Sequence, residues 1–545
     1  MNPIVSMKCV QRASLALAAI SALVLMAACG SSNSGPPPNQ QGFSNSSLSG
    51  TYVFSFFGTD VSSPSGAFPF AVVGQLVADG KGHFTSGTVD VNDPGIATVI
   101  GSNNSLFPAV STTGSYSVAT DGRATGTITL SISGTNGVPM GLDFVLMTSS
   151  HGLMTRFDSN GSGSGTIDLQ TSGLNQASFV GSYGISTTGF DFTNFNPIAT
   201  AGFFTLDSVG AATGVFDLNS NGTNVPGGTT GLTLGSGSGM LVQSPVTTAT
   251  FVTSSGTLTF DVYPISSSHL KFIETDSIAL TAGDAFSSQS SIPSGVYAYT
   301  AEAGNPSSPV AMGGFVTSDG TSVFSNGLEE INNVGNLSSV SITGSFGAFN
   351  GGRTELTLNG FVNGGALPQS LQFAAYPTTG GILFLENDSV GITTGTMLAQ
   401  GSTATIGTSQ GYGLNLSAFN SSGEEDAIAQ FNVNSSNAYT GSADINDVAG
   451  IGGSSRGVSF TGTLTPDSTI AGHGSVTNSS LFNFNYYTAN SGATTLILET
   501  DNSQVGVGSF QLQQSGVTPA AASAHFLALK PSAAAKAAMK KFKNK

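Results

Sequence analysis

One short acidic phrase occurs four times along this chain of 545 residues, and its spacing sets the size of the folding unit. The four copies are DVND from Asp90, DLNS from Asp217, EINN from Glu330 and DIND from Asp444. The interval is 113 residues from Asp217 to Glu330, 114 from Glu330 to Asp444, and 127 from Asp90 to Asp217. Solenoid repeats have periods of roughly 20–50 residues, so each of these copies is long enough to bury its own core.

Other features recur in the same order around this phrase. Each copy opens with a glycine and a tyrosine. Each closes with a short phrase that contains an aspartate, and a glutamine lies further along the chain. The opening glycines are Gly50, Gly181, Gly295 and Gly411, and the closing glutamines are Gln170, Gln289, Gln400 and Gln513. This common order predicts four tandem domains, which cover residues 48–172, 178–290, 291–402 and 407–516.

Within each copy the hydrophobic pattern is that of β-strands. In GTLTFDV, which begins at Gly256, the apolar residues Leu258, Phe260 and Val262 alternate with polar ones. Such alternation is typical of a half-buried antiparallel strand, and Asp-Gly turns such as that at Asp79 separate the strands. The sequence therefore predicts an all-β protein of four tandem antiparallel β-domains. Each is a small meander barrel or, as the alternative, a two-sheet sandwich.

The N-terminus has the features of an export signal. Lys8 and Arg12 precede an apolar run from Leu15 to Ala28, which is shorter than the roughly 20 residues that a membrane-spanning helix needs. We predict a signal peptide over residues 1–28. The next segment, residues 29–47, is rich in glycine, serine, proline and asparagine, which predicts a flexible tether.

The segment MAAC, from Met26 to Cys29, resembles the lipobox of bacterial lipoproteins. The resemblance implies cleavage before Cys29, acylation of that cysteine and anchoring to the cell envelope. Because Gly30 follows the cysteine rather than an aspartate, it also implies the outer membrane, where the cell has one. An ordinary signal peptide with a chance cysteine is the alternative. The only other cysteine, Cys9, lies in the signal, so a mature lipidated chain has no disulfide.

The first copy also resembles a module of uncharacterised, exported bacterial proteins with tandem β-rich repeats. The similar stretches include FAVVGQLVADGKG, TVDVNDPG and GSYSVATDGRATGTITL. The resemblance covers nearly all of the first copy and is weaker in the other three. It implies a fold and an exported location, and it assigns no catalytic residue.

Charge is sparse and unevenly distributed. All 30 acidic residues lie between the signal and the tail, but only six of the 14 basic residues do, which leaves this body with a net charge of −24. Such a charge opposes binding to nucleic acid or anionic lipid. The tail, residues 517–545, is rich in alanine and lysine, and we predict a short helix there.

The phrase DLNSNG is the best candidate for a metal loop. Asp217, Asn219 and Asn221 match the first half of a calcium-loop pattern, but the glutamate that should follow is missing. The alternative is a turn, because aspartate and asparagine bond to their own backbone at strand ends. We therefore predict no metal and no cofactor, with these three residues as weak metal candidates.

A second phrase, Glu-x-Asp, closes three of the copies. The pairs are Glu274 with Asp276, Glu386 with Asp388, and Glu499 with Asp501. On a strand, residues two apart point to the same face, so each pair brings two carboxylates together. We expect a solvated strand end, and the alternative is a metal or sugar hydroxyls held between the two carboxylates. An enzyme would need a buried carboxylate facing a second one across a cleft about 5–10 Å wide.

These observations predict a cell-envelope lipoprotein with a binding, structural or adhesive role. Its partners would be the membrane, through the lipid on Cys29, and a glycan or protein ligand of unknown identity. We expect no enzyme activity. The alternative is a polysaccharide-acting enzyme that uses strand-borne carboxylates such as Glu274 or Glu386.

Overall fold

The alternation of apolar and polar residues produces β-strands along almost the whole body of the chain. The computed structural model describes residues 42–513 and Lys536, except for residues 193–194, 221–222, 225–230, 244–245, 304–309, 363–368, 389–390, 421–422 and 449–452. The predicted signal peptide, Cys29, most of the tether and, apart from Lys536, the predicted tail helix lie outside the described residues. The described part forms four antiparallel sheets, which we call modules 1 to 4 in chain order.

Module 1 is a closed barrel of eight strands in which each strand pairs with its neighbour in sequence and β8 returns to β1. The strands are β1 (Ser49–Asp60), β2 (Phe68–Asp79), β3 (His83–Asn92), β4 (Leu106–Val118), β5 (Arg123–Leu130), β6 (Val138–Thr148), β7 (His151–Asp158) and β8 (Gly161–Leu169). A short helix, α1 (Pro94–Val99), follows β3. Asp93 caps this helix by accepting a hydrogen bond from the Ile96 amide at 3.0 Å.

Module 3 is a second closed barrel of eight strands with the same meander order. The strands are β19 (Gly295–Ala303), β20 (Val310–Ser318), β21 (Val323–Asn333), β22 (Asn336–Phe346), β23 (Thr354–Phe361), β24 (Gln369–Thr378), β25 (Gly381–Glu386) and β26 (Thr393–Ala399).

Module 2 is a curled open sheet whose middle strands are short. Its strands are β9 (Gly181–Asp191), β10 (Pro197–Leu206), β11 (Ala212–Ser220), β12 (Thr223–Asn224), β13 (Leu232–Thr233), β14 (Gly239–Leu241), β15 (Thr247–Thr253), β16 (Gly256–Ser266), β17 (His269–Glu274) and β18 (Ala279–Ser287). The intervening sequence NGTNVPGGTTG is rich in glycine and holds a proline, which disfavours long strands.

Module 4 is also a curled open sheet, with free edges at β30 and β31. Its strands are β27 (Gln410–Asn420), β28 (Glu424–Val433), β29 (Ala438–Asp447), β30 (Gly453–Thr463), β31 (Thr465–Pro466), β32 (His473–Val476), β33 (Phe484–Ala489), β34 (Thr494–Glu499) and β35 (Gln504–Leu512). Pro466 ends the short β31, because proline cannot donate a hydrogen bond to a sheet.

Each module has its own apolar interior, so its inside is a packed core. The tyrosine that opens each copy lies in this core, and its hydroxyl donates to a backbone carbonyl of a nearby turn or loop. The acceptors are Ser149 for Tyr52, Ser267 for Tyr183, Pro293 for Tyr297 and Gly407 for Tyr412. The hydrogen bond satisfies the one polar group that burial of tyrosine would otherwise leave without a partner.

The predicted all-β class with four tandem antiparallel domains is confirmed. The meander barrel closes fully in modules 1 and 3, whereas modules 2 and 4 curl without complete closure. Residues 42–513 nevertheless belong to one compact unit, so the modules are packed together rather than spaced along a string. Independent folding of each predicted range remains a prediction.

Candidate functional site

The four modules contact one another in a closed cycle, from module 1 to 2, 2 to 3, 3 to 4 and 4 back to 1. At each contact the second strand of one module packs against a strand near the end of the next. These pairs are β2 with β18, β10 with β25, β20 with β34, and β28 with β8. The recurring acidic phrase lies at every one of these four interfaces.

The asparagine of the phrase joins three of the four interfaces. Its side-chain amide donates to two backbone carbonyls of the next module. The first belongs to the residue that begins the closing phrase of that module, which is Glu386, Glu499 or Arg156, and the second lies five residues later. The pairs are Asn219 with Glu386 and Gly391 (2.9 and 2.8 Å), Asn332 with Glu499 and Gln504 (2.7 and 2.9 Å), and Asn446 with Arg156 and Gly161 (3.0 and 2.8 Å). We call these three contacts the asparagine latches.

The interface between modules 1 and 2 departs from this pattern. Asn92 is fully buried and accepts from the Ser105 hydroxyl at 2.8 Å, but its amide nitrogen finds no partner among the described residues. Module 1 is also where α1 follows the phrase. The inserted helix and the loop after it therefore occur at the one interface whose asparagine latch is missing.

The acid of the phrase contacts a tyrosine of the next module at three interfaces. The Tyr263 hydroxyl donates to Asp90 at 2.8 Å, the Tyr487 hydroxyl to Glu330 at 2.6 Å, and the Tyr376 hydroxyl to Asp217. Burial raises the pKa of all three tyrosines well above its ordinary value, so each remains a neutral donor. The acid and the tyrosine thus form a second kind of contact that recurs between modules.

The fourth interface replaces the tyrosine with arginines. Asp444 of module 4 lies 3.6 Å from Arg123 of module 1, and Arg456 of module 4 makes a two-pronged pair with Asp143 of module 1 at 2.7 and 2.9 Å. Asp143 is fully buried, and burial raises its pKa to about 6 despite the nearby arginine. Arg456 also lies 4.2 Å above the ring of Phe157.

The closing glutamines form a third kind of contact. The side-chain amide of Gln170 donates to the Pro264 carbonyl at 2.7 Å, and that of Gln400 donates to the Ala471 carbonyl at 3.0 Å. Gln513, at the end of the last copy, donates to the Leu146 carbonyl of module 1 at 3.0 Å. The side chains of three of the four repeated glutamines therefore reach into the neighbouring module, including across the point where the cycle closes.

Two of the three weak metal candidates lie at the interface between modules 2 and 3. Asp217 is paired with Arg353 of module 3 at 2.6 and 3.0 Å, and Asn219 forms an asparagine latch. Asn221 lies outside the described residues. Within the described ranges, no group of three or more histidine, cysteine, aspartate or glutamate residues is placed to hold a metal ion. A guanidinium therefore occupies the position at which a cation would meet Asp217.

The two members of each Glu-x-Asp pair have different surroundings: the glutamate is buried, and the aspartate accepts a hydrogen bond from a backbone amide. The glutamates Glu274, Glu386 and Glu499 are the last residues of β17, β25 and β34, and all three are buried. The aspartates follow the strand and accept backbone amides across the hairpin, from Thr259, Gln372 and Asn483. The expectation of a solvated strand end is wrong for the glutamates, because the preceding module in the cycle covers this end.

Burial changes the ionisation of these glutamates. It raises the pKa of Glu274 well above the ordinary value, and the charge of Asp276 raises it further. Burial likewise raises the pKa of Glu499, with a smaller contribution from Asp501. Thr281 donates to Glu274 at 2.6 Å. Burial therefore favours the neutral form of Glu274, which fits a position covered by protein.

The basic partners of the phrase were missed by the sequence analysis. Five of the six basic residues of the body pair with acids, and three of those five are buried: Arg156, Lys271 and Arg353. Their scarcity was the available signal, since so few cations among 30 acids are placed where a buried carboxylate needs them. The dipeptide Tyr-Pro, at Tyr263-Pro264 and Tyr376-Pro377, was a second signal in the sequence, because both tyrosines donate to an acid of the phrase.

Two clefts lie at the interface of modules 1 and 2. The cleft nearer the phrase has a volume of about 230 Å³ and is lined by Asn103, Asn104, Ser105, Phe192, Asp276 and Ser277 among others. The cleft at the opposite end has about 200 Å³ and includes Gln75, Gln170 and Gln243. We call the first the Phe192 cleft. Both are small, of the size of a single sugar or amino acid side chain rather than a large cofactor. The Phe192 cleft exposes more apolar than polar surface, whereas the opposite cleft is mainly polar.

No family model and no curated protein sequence matches this chain. Among solved structures, it is similar to a single mutant of the vaccine antigen transferrin binding protein B from Haemophilus parasuis Hp5. The identity is 10% over 69% of this chain and 86% of that one, with a TM-score of 0.17. A double mutant of the same antigen matches with 10% identity, 87% and 77% coverage, and a TM-score of 0.15. At these TM-scores the similarity does not establish a shared fold.

Proposed function

We propose that this protein is an exported lipoprotein, anchored to the bacterial cell envelope through Cys29, that binds a glycan or protein ligand or serves a structural, adhesive role. The lipobox MAAC and the tether-like composition of residues 29–47 support the anchor. Among the described residues, no helix is long and apolar enough to cross a membrane. The outer membrane is the proposed location where the cell has one.

One observation carries the binding role: the recurring acidic residues of the described chain are used to join the modules. Asp90, Asp217, Glu330 and Asp444 each contact a tyrosine or an arginine of the next module. The module interiors are filled with apolar side chains. Ligand contact therefore falls to the outer, polar surface, which is the normal arrangement for a binding or adhesive protein on a rigid scaffold.

The Phe192 cleft is the proposed contact point on this surface. Its lining combines amide and hydroxyl groups with the ring of Phe192, and small polar ligands such as sugar units are held by such a combination. Asn103 and Ser277 are exposed at its edge.

A glycan array tests the proposal on the mature chain with Cys29→Ser, so that lipid does not obscure binding. We expect a defined set of glycans to bind equally with calcium and with a chelator. Asn103→Ala with Ser277→Ala should abolish that binding, whereas Gln243→Ala in the opposite cleft should not. Loss of binding in the Gln243→Ala control but not in the double variant would contradict the proposed contact point.

The anchor has a separate test. Mass spectrometry of the N-terminal peptide from the native protein should find a chain that begins at an acylated Cys29. An unmodified peptide that begins at Cys29 would contradict the lipoprotein assignment, and it would leave the binding role untouched.

A polysaccharide-acting enzyme is the second candidate, and one observation favours it. Asp276 lines the Phe192 cleft, and Glu274, two residues earlier, has the raised pKa of a proton donor. Glu274 itself is buried and does not line the cleft. Release of reducing sugar from a polysaccharide panel, lost in Glu274→Gln but kept in Glu499→Gln, would favour the enzyme over the binding protein.

A further inference from the structure

The four interfaces of the cycle differ in how much apolar surface they share. Among the described residues, buried apolar side chains form a cluster of twelve between modules 1 and 2, seven between modules 2 and 3, and eleven between modules 3 and 4. The corresponding cluster between modules 4 and 1 has four members: Val145, Met147, Leu153 and Ile428. Apolar burial is the main non-directional attraction between packed surfaces, so the last interface has the least of it.

One equivalent position shows the difference directly. On the second strand of each module, one equivalent residue faces the next module. It is the residue that pairs with the position five residues after the opening tyrosine on the first strand. It is alanine in the first three modules, Ala71, Ala199 and Ala311, and an aspartate, Asp426, in module 4. Asp426 is fully buried and accepts the hydroxyls of Ser162 and Ser164 of module 1, both at 2.6 Å.

The residues opposite this position change in the same way. The equivalents of Ser162, which lie six residues after the buried glutamate or arginine, are Leu280, Ile392 and Val505. Three interfaces therefore place an alanine near an aliphatic side chain, and the fourth places a carboxylate against serines. A buried polar contact of this kind adds little to the free energy that holds the two modules together, because water satisfies the same polar groups when the modules separate.

The ion pairs at this interface are also reachable by solvent. The Arg456 side chain is 47% exposed, although its partner Asp143 is buried, and Arg123 is 24% exposed. Salt screens partly exposed pairs of this kind much more than fully buried ones. Chain connectivity adds to the contrast: modules 1 to 4 are joined in order by the backbone, whereas module 4 meets module 1 only through non-covalent contacts.

We propose that the cycle opens reversibly at the interface between modules 4 and 1, and that the other three interfaces stay closed. Opening exposes a polar face built from Ser162, Ser164 and Asp426, together with Arg456. Salt favours the open form, because it weakens the two arginine pairs that replace the apolar contacts of the other interfaces.

Hydrogen exchange of the full mature chain with Cys29→Ser tests the proposal, at about 10 mM and about 1 M sodium chloride, where the Debye length falls from about 30 to about 3 Å. We expect amides of β8 and β28 to exchange at least about fivefold faster at high salt, as the loss of a partly exposed ion pair implies. Amides of β20 and β34 should change by much less. Equal acceleration at both interfaces, or none at either, would overturn the proposal.

Engineered disulfides provide the matched control, because the variant chain is otherwise free of cysteine after signal removal. Ser164→Cys with Asp426→Cys links modules 1 and 4, and Ala311→Cys with Val507→Cys links modules 3 and 4 at the equivalent positions. The first pair should abolish the salt effect and the second should leave it unchanged. If the first pair prevents folding, Arg456→Ala replaces it, and it should accelerate exchange at low salt at the β8–β28 interface alone.

Discussion

The side-chain amide of Asn446, in module 4, donates to the backbone carbonyl of Arg156, in module 1, at 3.0 Å. The two residues are 290 positions apart, and this bond closes the cycle of modules with the same geometry that Asn219 and Asn332 use. The recurring phrase is therefore a device that joins each module to the next. It repeats because the interface repeats.

The asparagine latches should contribute measurably to stability. Asn332→Ala removes the two hydrogen bonds to module 4 and a third that Asn332 accepts from the Gly335 amide, so we expect a loss of about 1–3 kcal/mol in the free energy of unfolding. Urea unfolding measures it. Asn92→Ala is the matched control, since its amide makes no such bond, and its loss should be clearly smaller. Equal losses in the two variants would contradict the assignment of Asn332 as a latch.

Removing only one member of the pair of Asp217 and Arg353 should lower the free energy of unfolding strongly. Arg353→Ala leaves a buried carboxylate without its cation, which typically destabilises by about 3–5 kcal/mol. Asp217→Asn with Arg353→Met removes both charges, and it should destabilise less than the single variant. Denaturant unfolding compares the two. A single variant as stable as the wild type would show that the pair is not an essential contact between modules 2 and 3.

The interface of modules 1 and 2 should depend on pH. Asp90 and Asp261 share a hydrogen bond, and burial raises the pKa of both, that of Asp261 to about 7, with Asp90 as a further cause. The Tyr263 hydroxyl and the Ala109 amide also donate to Asp90. Because the folded-state pKa values lie above the unfolded value of 3.8, the stabilisation is greatest at low pH. It decreases as pH rises toward and through about 7.

Asp261→Asn should remove this dependence. Melting temperatures measured between about pH 5 and pH 8 should fall less steeply for the variant than for the wild type, and the variant should be the more stable of the two above pH 7. The equivalent residue of module 4 is already an asparagine, Asn485, which interacts with Glu330. Asn485→Asp is the reciprocal control. Identical pH profiles for Asp261→Asn and wild type would contradict a shared proton.

A single module should fold alone. The segment Ser291 to Ser402 contains the whole of module 3, a closed barrel with its own apolar core, and about 110 residues are enough to bury one. We expect a β-rich fragment with a cooperative melt by circular dichroism. A fragment without a transition, alongside a full chain that melts cooperatively, would show that the modules depend on one another to fold.

The strands, the repeat and the four tandem modules could be predicted from the sequence, because period-two alternation and regular spacing are local signals. The contacts between modules could not be predicted. The partner of Asp217 is Arg353, 136 residues away, and no local pattern identifies a contact at that distance. Burial of Glu274 was missed for the same reason: a strand end normally faces solvent, and only packing against another module covers it.

The closure of the cycle was also beyond sequence reasoning. Asp426 occupies the position of an alanine in the other modules, but the change has meaning only once Ser162 and Ser164 are known to face it. Gln513 illustrates the reverse case. Its recurrence was visible in the sequence, yet its partner, the Leu146 carbonyl, lies in a different module.

The most direct test of the central claim compares thermal melting in calcium and in a chelator, at matched ionic strength, for wild type and for Asp217→Ala with Asn219→Ala. If the phrase joins modules, the variant melts at a lower temperature than wild type by the same amount in both buffers. Calcium itself then has no specific effect. If the phrase is a metal loop, 1 mM calcium would stabilise the wild type by up to about 1.4 kcal/mol at a typical extracellular affinity, a rise of several degrees. That rise, present in wild type and absent in the variant, would contradict the account.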